Sequence, residues 1–184
     1  MLTPQQNLVA GHLIRERMAK GTTFRFRVIS NSMAPMIRAG DRVTVSRVGV
    51  EDLRRGDIVL YVVGETFHTH RLLSVRREDG AMFLVTKGDN ALSPDQPWRE
   101  EQLLGKVVAI GRGERWVDLE SRPWRAANRL LGALAQWEVA LLRAGRALKR
   151  ALLGERRSPL TSLGVRLIAA PFRLCGRLLV LLIE

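Results

Sequence analysis

The chain has 184 residues, a formal net charge of +12 and 46% hydrophobic residues. This length predicts one domain of ordinary size with an appendage, and the apolar fraction is sufficient for a buried core. A single cysteine, Cys175, excludes an internal disulfide and a cysteine-rich metal site. With three histidines, His12, His68 and His70, and no obvious further ligand, we do not expect a metal site.

The N-terminal residues 3–20 are predicted to form an amphipathic helix that begins at Thr3-Pro4 and ends at Gly21. Charges interrupt the first 23 residues, which contain no apolar core of the kind that a signal peptide or a transmembrane helix requires. We therefore expect neither feature there.

Residues 24–118 read as short strands separated by turn signals such as Gly40-Asp41 and Gly56-Asp57. The predicted strands are 24–30, 42–48, 57–63, 66–76, 81–87 and 105–112, and residues 91–104 are predicted to be a loop. Strands without intervening helices favour an antiparallel barrel or sandwich.

The composition changes near residue 122. Residues 121–184 hold 12 Lys/Arg against 3 Asp/Glu, a net charge of +9. An apolar stripe follows at helical spacing, formed by Leu130, Leu134, Trp137, Leu141, Ala144, Leu148 and Leu152. The second apolar segment, 160–183, is interrupted by three arginines and falls short of the roughly 20 residues that span a bilayer. We expect a basic amphipathic helical hairpin on an anionic membrane surface. The alternative is a hairpin packed on the sheet or on a partner protein; nucleic acid is not an expected partner.

Three polar motifs lie in the strand region. They are Ser30-Asn31-Ser32, His68-Thr69-His70, and Gly88-Asp89-Asn90 followed by Asp95. A serine hydroxyl needs a base to become a nucleophile, histidine can supply that base, and aspartate can orient the histidine. The residues alone leave alternatives open: the serines and Asp89 are also ordinary turn formers, and a Ser-Lys dyad would use Lys87 or Lys106.

Five motifs in order resemble the signal peptidase I family across residues 24–112. They are Ser30-Asn31-Ser32-Met33-x-Pro35 with Gly40-Asp41, Gly56-Asp57-Ile58-Val59-x-Tyr61, His70-Arg71, Thr86-Lys87-Gly88-Asp89-Asn90 and Gly105-Lys106-Val107. The similarity is closer to the Ser-His branch, typified by the endoplasmic-reticulum and archaeal enzymes, because the bacterial branch carries lysine where His70 stands. LexA-type self-cleaving repressors share the related fold but use a lysine base and add a DNA-binding domain.

The resemblance implies a role for each matching residue. Ser32 would be the nucleophile and His70 the general base, with His68 as the less favoured candidate. Asp95 matches the acidic partner and Asp89 a second acidic position, while Ser30 would add a hydroxyl to the oxyanion hole. Substrate contacts are assigned to Ile29, Met33 and Pro35. The strands before Ser32 and around 57–63 would pair with an extended substrate, and no metal or organic cofactor is implied.

The expected architecture is mainly β: a signal-peptidase/LexA-like antiparallel barrel-sandwich over residues 22–118. An N-terminal helix (1–21) precedes it, and the basic helical region (122–184) follows. The family's N-terminal membrane anchor is missing from the expected position, and Ala91 departs from the usual acidic motif. We therefore expect a membrane-associated serine endopeptidase, without a cleavable signal peptide, that acts on a leader or precursor peptide. The alternatives are an inactive module that binds extended peptides and a membrane-surface adaptor.

Overall fold

The computed structural model describes residues 23–153, 174–175 and 178. Eight strands lie within this part of the chain: β1 (Thr23–Arg27), β2 (Arg42–Ser46), β3 (Ile58–Val63), β4 (Thr66–Glu78), β5 (Ala81–Lys87), β6 (Trp98–Arg99), β7 (Leu103–Arg112) and β8 (Arg115–Asp118). One long helix, α1 (Arg122–Leu153), follows them. Single turns of 3-10 helix occur at Val50–Asp52 and Glu100–Gln102.

The strands form one antiparallel sheet in the order β1-β2-β7-β3-β4-β5-β6, and β8 pairs with β7. This curled sheet confirms the predicted mainly β, LexA-like fold. All six predicted strands are present, within a few residues of their predicted ends. The loop predicted for 91–104 is wrong in its second half, because β6, a 3-10 turn and the start of β7 lie there. The sequence reading also missed β8.

Strand β3 lies in the interior of the sheet. It pairs with β4 on one side and with β7 on the other, and five of its six residues are buried. Its alternate side chains enter two clusters: Ile58 and Leu60 join the main core, while Val59 and Tyr61 join a smaller core on the opposite face. Because both edges of β3 are occupied, the prediction that a substrate pairs with 57–63 is wrong.

Helix α1 packs on the sheet through a face that differs from the predicted apolar stripe. Among the residues whose burial is described, those buried on α1 are Asn128, Leu131, Gly132, Ala135, Glu138, Val139 and Leu142. Four members of the predicted stripe are exposed instead: Leu130 at 54%, Trp137 at 67%, Leu141 at 46%, and Ala144. The helix therefore faces the sheet with a mixed polar and apolar surface and turns apolar side chains outward.

Two other predicted elements fall outside the described residues. The N-terminal helix of 3–20 is one, and most of the second apolar segment, 160–183, is the other. Of that segment, Leu174, Cys175 and Leu178 are described and are helical. No helix within the described residues is both long and apolar enough to cross a membrane.

Candidate active site

Ser32 lies at the start of a turn that the core fixes from behind. The next residues, Met33, Met36 and Ile37, are each at most 2% exposed. Asn31 holds the two ends of the turn together, because its Oδ1 accepts a hydrogen bond from the amide of Ala39 at 3.0 Å. A partly buried serine is thus presented on a backbone with little freedom to move.

His70 lies on β4 and contacts Asp95, which follows the turn after β5. The distance from His70 Nδ1 to Asp95 Oδ2 is 2.7 Å. An ionised carboxylate accepts only, so Nδ1 carries a proton and Nε2 is left as the acceptor. Asp95 is itself tied to β5, because its amide donates to the carbonyl of Thr86 at 2.8 Å. The pairing of Asp95, rather than Asp89, with His70 is therefore a feature of the fold.

Two further hydroxyl groups converge on the same carboxylate oxygen. Thr86 Oγ1 lies 2.7 Å and the Tyr61 hydroxyl 3.0 Å from Asp95 Oδ2. Trp98 Nε1 donates to Thr86 Oγ1 at 3.1 Å, and its ring stacks on Tyr61 at 4.2 Å. Burial raises the pKa of Asp95, but the hydrogen bonds from His70, Thr86 and Tyr61 outweigh burial, so its pKa lies below the usual value. Asp95 is therefore held ionised behind the imidazole.

Gly88 brings the serine and histidine segments together. A Cβ built on Gly88 would lie 2.8 Å from the Ser32 carbonyl oxygen and 3.2 Å from His70 Nε2. The amide of Asn90 donates to the same Ser32 carbonyl at 2.9 Å. The Ser32 backbone and the acceptor nitrogen of His70 therefore flank one glycine, and the Gly88–Asn90 turn sets their separation.

Asp89 lies in a buried ion pair with Arg71. Its two oxygens accept a bidentate pair from Arg71, with Nε at 2.8 Å and Nη2 at 2.7 Å. The Arg71 side chain is fully buried, and that of Asp89 is 3% exposed. Asp89 is therefore the counterion of a buried arginine, and its role as a second acidic residue of the site stays a prediction.

The two lysines that could have supplied a base are engaged elsewhere. Lys87 Nζ lies 2.9 Å from Glu138 on α1, and Lys106 Nζ lies 2.9 Å from Glu120. His68 lies next to His70, with ring centroids 5.7 Å apart, and stacks on Tyr61 at 5.3 Å. Burial, followed by the neighbouring His70, lowers the pKa of His68.

The predicted oxyanion and substrate residues are divided between surface and core. Ser30 is exposed and its Oγ lies 3.2 Å from that of Ser32. Ile29 is 83% exposed, whereas Met33 is 2% exposed and packs in the main core. Pro35 is partly buried in the turn. Met33 therefore occupies a structural position rather than one that reaches a substrate. Within the described residues, no group of three or more metal-ligating side chains is present.

Three site residues escaped the sequence reading. Tyr61 was noted only as part of a motif, and neither Thr86 nor Trp98 was given a role. They meet because β3 pairs with β4, β4 with β5, and β5 with β6. Alternation along β3 places Tyr61 on the His70 face, which is a signal that the sequence did carry.

The curled antiparallel sheet thus carries the serine turn, the His70–Asp95 pair and, between them, Gly88. The sequence profile of the Peptidase S24-like family matches residues 5–108, more than half of the chain. The chain belongs to this family. It is also 30% identical over 86 residues to the protein called signal peptidase I W of Bacillus subtilis strain 168. The match covers 45% of this chain and 45% of that protein.

Proposed function

We propose that this protein is a serine endopeptidase of the Ser-His type that cuts a leader or precursor peptide. The observation that supports this most strongly is the bond between His70 Nδ1 and Asp95, which leaves Nε2 unprotonated on the side facing Gly88 and the Ser32 segment. A neutral imidazole in this tautomer is the form that accepts a proton from a serine hydroxyl.

The proposed reaction is acyl transfer to serine followed by hydrolysis. Ser32 Oγ attacks the scissile carbonyl as its proton passes to His70 Nε2, and Asp95 stabilises the imidazolium that forms. The imidazolium then protonates the leaving amine, and an acyl-serine remains. Water, activated by the same nitrogen, releases the acid product. Ser30, whose Oγ lies 3.2 Å from that of Ser32, would donate a hydroxyl hydrogen bond to the developing oxyanion.

The sheet leaves two backbone segments available to an extended substrate beside these residues. Residues 66–70 of β4 pair with β3 alone, because the pairing of β4 with β5 begins at Arg71. Ile29 and Ser30 are exposed and lie between β1 and the serine turn. We propose that the peptide adds as a strand between these two segments, in place of the pairing with β3 that the sequence suggested.

Cleavage of a peptide pool that contains Ala-x-Ala sequences tests the proposal directly. The wild type is compared with Ser32→Ala, His70→Ala and His68→Ala, and a serine-directed acylating probe is applied to each. We expect cleavage and Ser32 labelling to be lost in Ser32→Ala and His70→Ala but retained in His68→Ala. A wild type that binds peptides without cleavage or labelling would identify an inactive binding module instead.

We further propose that the outer face of α1 binds an anionic membrane surface. This face presents Leu130, Trp137 and Leu141, and the exposed arginines among the described side chains of the helix are Arg122, Arg125, Arg129 and Arg143. The one acidic residue of α1, Glu138, is buried against Lys87. The exposed charges on α1 are therefore all positive, and they border apolar side chains as in helices that lie in a lipid interface.

Co-sedimentation with phosphatidylglycerol-containing vesicles and with phosphatidylcholine vesicles tests this second proposal. We expect salt-sensitive binding to the anionic vesicles only, with a clear loss in Trp137→Gln/Leu141→Gln and none in the control Trp116→Gln on β8. Equal binding of the double variant and the wild type would rule out the α1 face. Concentration-dependent dimerisation that the double variant abolishes would assign the face to a second copy of the chain.

A further inference from the structure

The inner face of α1 makes two buried polar contacts with adjacent strands of the sheet. Glu138 Oε2 lies 2.9 Å from Lys87 Nζ, as an ionic contact rather than an aligned hydrogen bond. Asn128 Oδ1 accepts from Arg71 Nη1 at 2.9 Å. All four side chains belong to buried residues. The helix thus reaches one cation on β4 and one on β5.

These two cations lie directly opposite each other. Arg71 and Lys87 are register partners in the antiparallel pair of β4 and β5. Like charges at such positions repel each other unless each has a counterion. Asp89 neutralises Arg71 from within the sheet domain, and Glu138 brings a carboxylate to Lys87 from the helix.

Each cation is the chain neighbour of a residue in the candidate site. Arg71 follows His70, and Lys87 lies between Thr86 and Gly88. Since successive side chains of a strand point to opposite faces, Arg71 and Lys87 make their contacts behind the sheet, while His70 and Thr86 lie in front of it. The residues that orient Asp95 and His70 are thus held at their backbones from the helix side.

The backbone of α1 also lies so close to the sheet domain that two glycines at the contact have no room for a Cβ. A Cβ on Gly56 would lie 2.1 Å from the Asn128 carbonyl oxygen, and a Cβ on Gly132 would lie 2.6 Å from the Gly56 Cα. Arg71 Nη1 donates to the Gly56 carbonyl as well, at 2.8 Å. Gly56, Asn128 and Arg71 therefore form a close junction between α1 and the strand that carries His70.

We propose that Glu138 and Asn128 are positioning residues of the active site, which set the geometry of His70 and Thr86 through Lys87 and Arg71. The expected effect on cleavage rests on the proposed function, whereas the expected effect on the geometry of His70 does not. In this proposal α1 belongs to the peptidase unit, although it lies beyond residue 118, where the sequence placed the end of that domain. The match to the profile of the Peptidase S24-like family ends at residue 108, before α1 begins.

The test compares full-length Glu138→Gln with Glu114→Gln, the same change at an exposed residue of the β7–β8 turn. The first readout, NMR of the imidazole nitrogens and of the Nδ1 proton of His70, does not require activity. The variants His68→Phe and His70→Ala are used to assign these resonances. We expect them to shift or broaden in Glu138→Gln and to stay in place in Glu114→Gln. His70 resonances identical to those of the wild type in a folded Glu138→Gln would overturn the proposal.

The second readout is cleavage, where we expect kcat to fall by about 10- to 100-fold while KM changes little, as for a displaced catalytic group. If the wild type has no activity but the His70 resonances move, the proposed function fails and the positioning role stands. If cleavage is normal and Glu138→Gln matches the wild type in kcat, the positioning role fails and the function stands.

A double variant covers the possibility that Glu138→Gln does not fold. Lys87→Met/Glu138→Leu removes both charges at similar volume, a replacement that folded proteins commonly accept. We expect this variant to fold with altered His70 resonances, because the ion pair that joins helix and strand has been removed. Resonances like those of the wild type would show that packing alone positions the site, and the proposal would be wrong.

Discussion

Asp95 Oδ2 lies 2.7 Å from His70 Nδ1, and the same oxygen accepts hydrogen bonds from two hydroxyl groups. The carboxylate is thus anchored independently of the histidine that it orients. Asp95 contacts His70, whereas Asp89 pairs with the buried Arg71. Substitution of each aspartate in turn therefore distinguishes an effect on activity from an effect on stability.

The variant Asp95→Asn is expected to fold and to lose most of its activity. An amide in place of the carboxylate no longer stabilises the imidazolium or fixes the tautomer, and in serine peptidases such a change lowers kcat by about 10⁴-fold. Cleavage kinetics and thermal unfolding of the same preparation check this. Wild-type kcat in Asp95→Asn would remove the carboxylate from the mechanism.

The variant Asp89→Asn is expected to lose folding stability. It leaves the fully buried Arg71 without its bidentate counterion, and breaking a buried pair in this way costs about 3–5 kcal/mol of the free energy of unfolding. Urea denaturation measures the loss. A stability close to that of the wild type would show that Asp89 is not the structural counterion, and its catalytic assignment would need to be considered again.

The variant Gly88→Ala is expected to displace the serine and histidine segments from each other. The new methyl group would lie within 2.8 Å of the Ser32 carbonyl and 3.2 Å of His70 Nε2, so the backbone of the turn has to shift. Loss of cleavage and slower acylation of Ser32 by a probe are the expected results. The matched control is Gly145→Ala on α1, where a Cβ meets no atom within 4 Å; there activity should be unchanged and the helix stabilised by about 0.5–1 kcal/mol.

The lowered pKa of His68 predicts a loss of stability in mild acid. Below the ordinary histidine pKa of 6.5 the unfolded chain binds a proton at this position, whereas the folded chain does so only at a lower pH. The free energy of unfolding therefore falls as the pH drops from 6.5 towards the folded pKa. His68→Phe keeps a ring against Tyr61 and removes the proton, so urea denaturation at pH 7.5 and 5.5 should show a smaller drop. Equal drops in the two proteins would contradict the assignment.

The strands could be predicted from local pattern, but the face of α1 that meets the sheet could not. Short strand-like runs between turn signals, such as 42–48 and 57–63, predict the strands, because these signals are local in the chain. On α1, apolar spacing selected Leu130, Trp137 and Leu141, which are exposed. The true inner face includes Asn128 and Glu138, whose polar side chains match Arg71 and Lys87. Such complementarity depends on pairs far apart in the chain, so hydrophobic period alone misses it.

The residues of the candidate site could likewise be predicted only in part from local sequence. Ser32, His70 and Asp95 were identified from motifs, and the structure brings His70 and Asp95 into contact. The pairing of Asp89 with Arg71 could not be predicted, because a Gly-Asp-Asn turn gives no indication of which cation lies next to it. Thr86 and Trp98 act through cross-strand neighbours, and the register that joins them is fixed by the whole sheet rather than by any short stretch.

Trp98 gives the protein a built-in optical probe. Its indole is 3% exposed and donates to Thr86, whose hydroxyl contacts Asp95. Of the other three tryptophans, Trp116 and Trp137 are exposed and Trp124 is partly buried. With those three replaced by phenylalanine, the fluorescence emission of Trp98 would respond to a change of charge at Asp95, and so to occupation of the site by a ligand, without an attached dye.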